Sequence, residues 1–113
     1  MLQLVTAVIQ PHRLEVVKES LREASVGGMT VSEVRGFGRQ GAHTETYRGA
    51  EYQVAFIPKL KGEVLCAEAD AGGIVSLIVE AARTDRIGDG KVCVSPVSSA
   101  VRIRTGEAGT DAL

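Results

Sequence analysis

Three short stretches of this 113-residue sequence carry residue types whose spacing could do chemistry. GFGRQG at 36–41 matches G-x-G-x-x-G, the pattern by which many proteins hold a dinucleotide pyrophosphate. TDRIGDGKV at 84–92 puts two glycines and a lysine into one short segment, where backbone N–H groups and an ammonium could surround an anion. VRIRT at 101–105 spaces Arg102 and Arg104 so that, in a strand, both guanidiniums leave one face about 7 Å apart. Such a pair suits a polyphosphate. It also suits a solvated strand edge, which positive side chains protect from pairing. With Arg86 and Lys91 added, the anion site is the favoured reading. From 83 to 104 five basic residues (Arg83, Arg86, Lys91, Arg102, Arg104) stand against Asp85 and Asp89, in a chain whose formal net charge is -1.

Context removes several alternatives. A dinucleotide fingerprint needs a helix to begin in its glycines, so that the N-terminal N–H groups face the phosphates. AHTETYRGAEY, which follows, has no apolar 3.6 periodicity. TDRIGDGKV is no Walker A either: that motif needs glycine where the chain has Asp85, and Ser or Thr where it has Val92. A tight helix-to-strand connection remains open for that segment. His12 and His43 lack metal-ligand spacing, Ser98 and Ser99 have no evident base, and Glu45 and Glu51 read as solvated carboxylates. Cys66 and Cys93 sit in apolar runs without C-x-x-C spacing, so both are expected to be buried, inert thiols.

Several elements must position these residues. QLVTAVI at 3–9 is β-branched and apolar, as a buried strand is. Pro11 suits a helix start, Leu14, Val17, Leu21 and Ala24 form a helical stripe, and Gly27 and Gly28 are expected to end it. MTVSEV at 29–34 alternates as a half-buried strand. YQVAFIPKLKGEVLCAEA at 52–69 reads as a long strand with an irregularity near Pro58 and Gly62. Asp70 is placed as the N-cap of a second helix with Ile74, Leu77, Ile78 and Ala81 on its apolar face. KVCVSP at 91–96 and VRIRT at 101–105 are further strands. The order is βαββαβ plus a short C-terminal strand. It predicts an α+β, ferredoxin-like split βαβ layer, with a four-stranded antiparallel sheet and two helices on one face.

The second and third strands then form a hairpin whose connection, 36 to about 52, exceeds the roughly 12 to 15 residues beyond which loops are usually functional or disordered. All four aromatics fall between 37 and 56. Hydrophobic content of 44% and this length bound the chain to one modest core, marginal enough that self-association would help. The near-neutral charge offers no general attraction to nucleic acid or anionic lipid. No run approaches the roughly 18 apolar residues of a membrane span, and MLQLVTAVIQPHRL does not resemble a signal peptide, so a cytoplasmic location is expected.

Taken together, GFGRQ, YRGAEY at 47–52, T-x-x-x-G-D-G-K-V at 84–92 and VRIRTGE at 101–107 resemble the PII signal-transduction family, and the resemblance runs along essentially the whole chain. It implies a single-domain (1–113), non-enzymatic homotrimer that reports nitrogen and carbon status. Such a protein binds ATP or ADP between subunits, and 2-oxoglutarate together with Mg-ATP. The T-loop would be about 37–55, the B-loop about 83–91 and the C-loop about 102–109. By the same resemblance, Gly88, Asp89, Gly90 and Lys91, with Arg102 and Arg104 of the adjoining subunit and help from Arg86, would hold the phosphates. Thr30, Gly36, Phe37, Gly38, Glu63 and Leu65 match positions around the adenosine end or the loop base, with Arg39 beside them. Gln40 matches the Mg ligand next to 2-oxoglutarate, Gly41 and Ala42 lie where the effector meets backbone, and Lys59 matches the lysine that pairs with its distal carboxylate.

Tyr52 matches a tyrosine that many members carry as a uridylylation or adenylylation site, which implies a modifying nucleotidyltransferase. Other partners implied are an ammonium channel, which would recruit the protein to the membrane without inserting it, and nitrogen-assimilation enzymes. The pattern departs at Gly41 and Ala42, where members usually have Lys or Arg and then Gly, and this motivates a nucleotide-binding regulator with a different effector as an alternative. Cys93 and Ala55 depart too, as strand repacking. A second alternative is a small ferredoxin-like phosphohydrolase that uses the arginines.

Overall fold

A computed structural model of the protein describes residues 1–38 and 55–113. Four strands, β1 (Leu2–Ile9), β2 (Thr30–Gly36), β3 (Ile57–Ala67) and β4 (Gly90–Val97), form one antiparallel sheet in the order β2-β3-β1-β4. Helices α1 (Leu14–Glu23) and α2 (Glu68–Ala82) supply the two crossovers. The expected ferredoxin-like architecture is therefore present.

Register divides the sheet into two unlike faces. Val5 opposes Val64 on β3 and Val94 on β4, and alternation puts Val5, Ala7 and Ile9 on one face with Val64 and Cys66. These pack against Val17 and Leu21 of α1 and Ile74 and Ile78 of α2 in one buried cluster. Val5, Val17, Val64 and Ile78 are the most completely buried side chains, which marks the centre of the core. The opposite face pairs Leu4 with Leu65, Thr6 with Glu63 and Val8 with Lys61, and among the described residues no helix covers it.

Local chemistry explains the element ends, and here the sequence expectations need correction. Pro11 opens a 3-10 turn, Pro11–Arg13, that leads into α1. The helix does not run to Gly27. Ser25 takes φ 64, the Ser25 N–H donates to Arg22 O at 3.0 Å and the Val26 N–H donates to Leu21 O at 3.0 Å. This is a Schellman ending, sealed by apolar packing of Val26 on the Leu21 side of the core. Asp70 is not the N-cap of α2: β3 runs directly to Ala67, and the free Glu68 N–H donates to Met1 O at 3.0 Å. Glu68 and Asp70 lie in the first turn, where carboxylates favour the helix dipole.

β3 is continuous through Pro58 and Gly62, so the expected irregularity is absent. Pro58 pairs only with Arg35 of β2, beyond the end of β1, where its missing N–H interrupts no central ladder. A Cβ on Gly62 would approach Met29 Sδ at 3.0 Å, so the glycine lies against the methionine side chain. The strand begins at Ile57, Ala55 and Phe56 before it are not part of it, and the expected start at 52 lies outside the described residues. VRIRT does not form a strand. Val101 makes a single antiparallel bridge to Ala108, while the Arg102 N–H donates to Glu107 O and the Gly106 N–H to Arg102 O, both at 2.8 Å, closing a turn between them. Strand alternation therefore does not set the directions of Arg102 and Arg104. Cys66 is buried as expected, but Cys93 is exposed, because it opposes Thr6 on the uncovered face of an edge strand.

Candidate functional site

The loop between α2 and β4 is built by its own residues. The Asp89 carboxylate accepts from the Thr84 N–H at 2.7 Å, the Asp85 N–H at 2.9 Å and the Thr84 hydroxyl. These bonds hold the Asp89 carboxyl below the usual aspartate range, with the Thr84 hydroxyl as the largest cause. Gly88 and Gly90 take φ of 101° and 105°. At Gly90 no side chain is possible, since an added Cβ would lie 1.8 Å from Val8 O. Asp85, a non-glycine, also adopts the left-handed region with φ 66. The result is a short, fixed loop with small residues and Lys91 at its end.

This loop borders a cavity of about 670 Å³. Gly88, Gly90 and Lys91 line one wall; Gly36, Phe37 and Gly38, at the exit of β2, and Lys59 of β3 line the other. The Lys59 ammonium donates to the Gly88 carbonyl and so ties β3 to the loop. Partial burial lowers its proton affinity, and the Asp89 charge acts in the opposite sense. Phe37 and Phe56 meet edge to face, with ring centroids 5.6 Å apart and planes at 84°, across the two ends of the long β2–β3 connection. Both rings are more than 60% exposed, so this contact closes the loop base without burying it.

The other expected residues lie elsewhere on the same chain. Thr30, Glu63 and Leu65 line a second cavity of about 1160 Å³, between the α1–β2 connection, α2 and the C-terminal residues Ala112 and Leu113. Arg102 belongs to that side: its guanidinium donates to the Glu107 carboxylate at 3.0 Å and to the Leu113 carbonyl. Thr105 donates to the same carboxylate at 2.9 Å. Arg104 sits in this turn next to Ile103, which is fully exposed. Arg86 lines a separate, more polar cleft with His12 and Thr84 on the outer side of the loop. Arg39, Gln40, Gly41, Ala42 and Tyr52, with His43, Glu45 and Glu51, lie outside the described residues.

One chain thus brings together Gly36, Phe37, Gly38, Lys59, Gly88, Gly90 and Lys91, and does not bring Arg102, Thr30, Glu63 or Leu65 to them. The side chain of Asp89 is spent on the loop rather than directed to a ligand. Sequence reading missed Thr84 as a builder of the loop and Val8, Ile57 and Ile87 as walls of the cavity. A threonine five residues before an aspartate was the signal for the first; the walls have none, because register alone assembles them. Among the described residues no cluster of His, Cys, Asp and Glu could hold a metal, and no helix is long and apolar enough to cross a membrane.

Comparison with known proteins agrees with this architecture. Residues 2–107 match the family model of nitrogen regulatory protein P-II. The chain is 55% identical over 109 residues to the nitrogen regulatory protein P-II of Cereibacter sphaeroides, covering 96% of this chain and 97% of that one. Its namesake from Synechocystis sp. is likewise 55% identical over 109 residues with the same coverage. The crystal structure of Arabidopsis thaliana PII bound to citrate superimposes with a TM-score of 0.83 at 36% identity, over 99% of this chain and 92% of the other. These relatives are named as regulators, which displaces the phosphohydrolase alternative. The chain belongs to the nitrogen regulatory protein P-II family, and it is a regulatory protein rather than an enzyme.

Proposed function

We propose that the protein is a homotrimeric sensor of nitrogen and carbon status. It binds ATP or ADP between subunits, takes 2-oxoglutarate in the presence of Mg-ATP, and signals through its long β2–β3 connection to partner proteins. The observation that carries this reading is the division of the site. The loop with Gly88, Gly90 and Lys91 faces one cavity, while Thr30, Glu63 and Leu65 wall another, to whose lining residue Leu113 the Arg102 guanidinium is bonded. Each is half of an anion-and-base site, so two copies are needed to complete one. The uncovered sheet face, with Leu4 paired to Leu65 across β1 and β3, is the surface on which copies would associate.

In this reading Gly88, Asp89, Gly90 and Lys91 take the phosphates by backbone N–H groups and one ammonium, joined by Arg102 and Arg104 of the neighbouring copy. Arg102 must exchange its Glu107 partner for phosphate oxygens, a like-for-like replacement of one anion by another. Gly36, Phe37, Gly38 and Arg39 form the base of the responsive loop. Gln40 supplies a Mg ligand, and Gly41, Ala42 and Lys59 take the effector acid. The citrate bound to the Arabidopsis relative is a small polycarboxylate, in keeping with an acid effector. Ligands shift the loop only through contacts that differ between its states. The loop, with Tyr52 as its modification site for a uridylyl- or adenylyltransferase, then selects among an ammonium channel and nitrogen-assimilation enzymes. The protein acts in the cytoplasm and reaches the membrane through such a channel.

Isothermal calorimetry with Mg-ATP, with and without 2-oxoglutarate, tests this directly. Nucleotide heat and mutual tightening of the two ligands are expected; nucleotide binding without any response to 2-oxoglutarate would favour the regulator with a different effector, for which Gly41 and Ala42 speak. No heat with either ligand would remove the sensor reading.

A further inference from the structure

The loop from Arg83 to Gly90 is restrained in three ways, and they differ in origin. Its first half is held by the Asp89 carboxylate on Thr84 and Asp85, within the loop itself. Its end is held by Gly90, seated against Val8 O where β4 begins. The tip between them, Arg86 to Gly88, is tied back to Asp89 at Arg86, whose N–H also faces the Asp89 carboxylate and whose carbonyl accepts from the Asp89 N–H at a long 3.3 Å; Gly88 lies beyond these bonds. Among the described residues, the donor that reaches this tip from another element is Lys59, through the Gly88 carbonyl. Lys59 is also two residues from the start of β3, the strand into which the long connection feeds. A single ammonium therefore joins the end of that connection to the anion loop.

We propose that Lys59 is a positioning residue for the phosphate cradle: by holding the Gly88 carbonyl it fixes the loop tip in its binding geometry before any ligand arrives. This rests on the nucleotide site proposed above and assigns Lys59 a task beyond pairing with an acid. An anion that draws the ammonium changes the hold on Gly88, so a carboxylate at Lys59 and a phosphate at the loop act on one another through one hydrogen bond. Removal of the ammonium should weaken nucleotide binding even when no acid is present, because the tip must then be ordered at the expense of binding.

The test uses the full chain as Lys59→Met, Lys59→Arg and Lys61→Met. Lys61 lies on the same strand and face, so Lys61→Met controls for the loss of one positive charge near the site. Amide hydrogen exchange is read without nucleotide at Asp89, whose acceptor is Arg86 O in the tip, and at Thr84 and Asp85, whose acceptor Asp89 directly follows Gly88 and loosens with it, with the β1 amides as an internal reference for the intact fold. Lys59→Met should raise exchange at these three amides about tenfold, and Mg-ATP affinity without any acid should fall by about the same factor, as loss of one charge-assisted hydrogen bond predicts. Lys59→Arg, which keeps a donor, should restore most of both, and Lys61→Met should leave the three amides unchanged. Unchanged exchange in Lys59→Met, or an equal effect in Lys61→Met, would overturn the proposal. Failure of the unaltered chain to bind Mg-ATP would instead remove the nucleotide site, and the exchange result would still report on the loop.

Discussion

At the scale of single residues, the site depends on positions where chemistry permits one kind of side chain. Gly90 is the clearest: φ 105 and a backbone oxygen 1.8 Å from any added Cβ leave no room to relax without moving β1 or β4. Gly90→Ala should lower the denaturation free energy by about 3 kcal/mol, measured by urea unfolding, because strain and clash act together. Asp89 acts through charge. Its folded carboxyl titrates below its ordinary value, so the stability it contributes is complete above the normal aspartate range and is withdrawn as pH falls through the lowered folded value. Exchange protection of the Thr84 and Asp85 amides should follow that course, and Asp89→Asn should abolish the acid dependence while leaving a weaker, neutral set of bonds. Arg104→Ala should reduce nucleotide affinity about ten- to a hundredfold in calorimetry, as loss of a charge-assisted bond to phosphate implies.

At the scale of elements, the helices are held to each other as well as to the sheet. Arg13, in the 3-10 turn before α1, donates through Nε at 3.0 Å and a terminal nitrogen at 2.7 Å to Ala81 O near the C-terminus of α2. A cation at a helix C-terminus satisfies a free carbonyl and complements the dipole. Arg13→Ala is expected to cost about 1–2 kcal/mol in chemical denaturation. The turn that carries this arginine also sets the start of the helix leading back to β2, so the residue links both crossovers. Within α2, Gly72 has nothing within 4 Å of a would-be Cβ. Gly72→Ala should therefore stabilise the chain by about 0.5–1 kcal/mol in the same assay, through a lower entropy of the unfolded state. A loss of stability there would contradict the open space around that position.

At the scale of the whole molecule, one sheet face is covered by both helices and the other presents Leu4, Leu65 and several charged side chains to the outside. The proposed trimer would resolve this by burying the open face, and light scattering should then give three times the 11.9 kDa chain mass. The division of the anion site makes a sharper test. Lys91→Ala chains and Arg104→Ala chains should each lose nucleotide affinity alone, yet mixed in equal amounts they should regain binding in roughly a quarter of the sites if, as proposed, each site draws one half from each of two copies. No recovery on mixing would mean that both residues serve the same chain's cavity.

The amino-acid sequence by itself determined the order of elements, the two helical stripes, the long hairpin connection and the family, because periodicity and turn residues are local properties and the motifs are short and contiguous. It was misleading wherever a long-range partner decides the outcome. Gly27 and Gly28 suggested a helix end that Ser25 and Val26 make earlier, and Asp70 suggested a cap where the Met1 carbonyl serves instead. VRIRT alternates like a strand, yet among the described residues it pairs through one bridge, Val101 to Ala108, and closes into a turn. Which residues share a cavity was likewise a matter of register: Val8, Lys59 and Lys91 are far apart in sequence and meet because antiparallel pairing puts β1 between β3 and β4. Only the tertiary structure separated the loop with Gly88 and Gly90 from the arginine turn, since β4 runs the length of the sheet between them, from Gly90 beside Ile9 to Val97 beside Leu2.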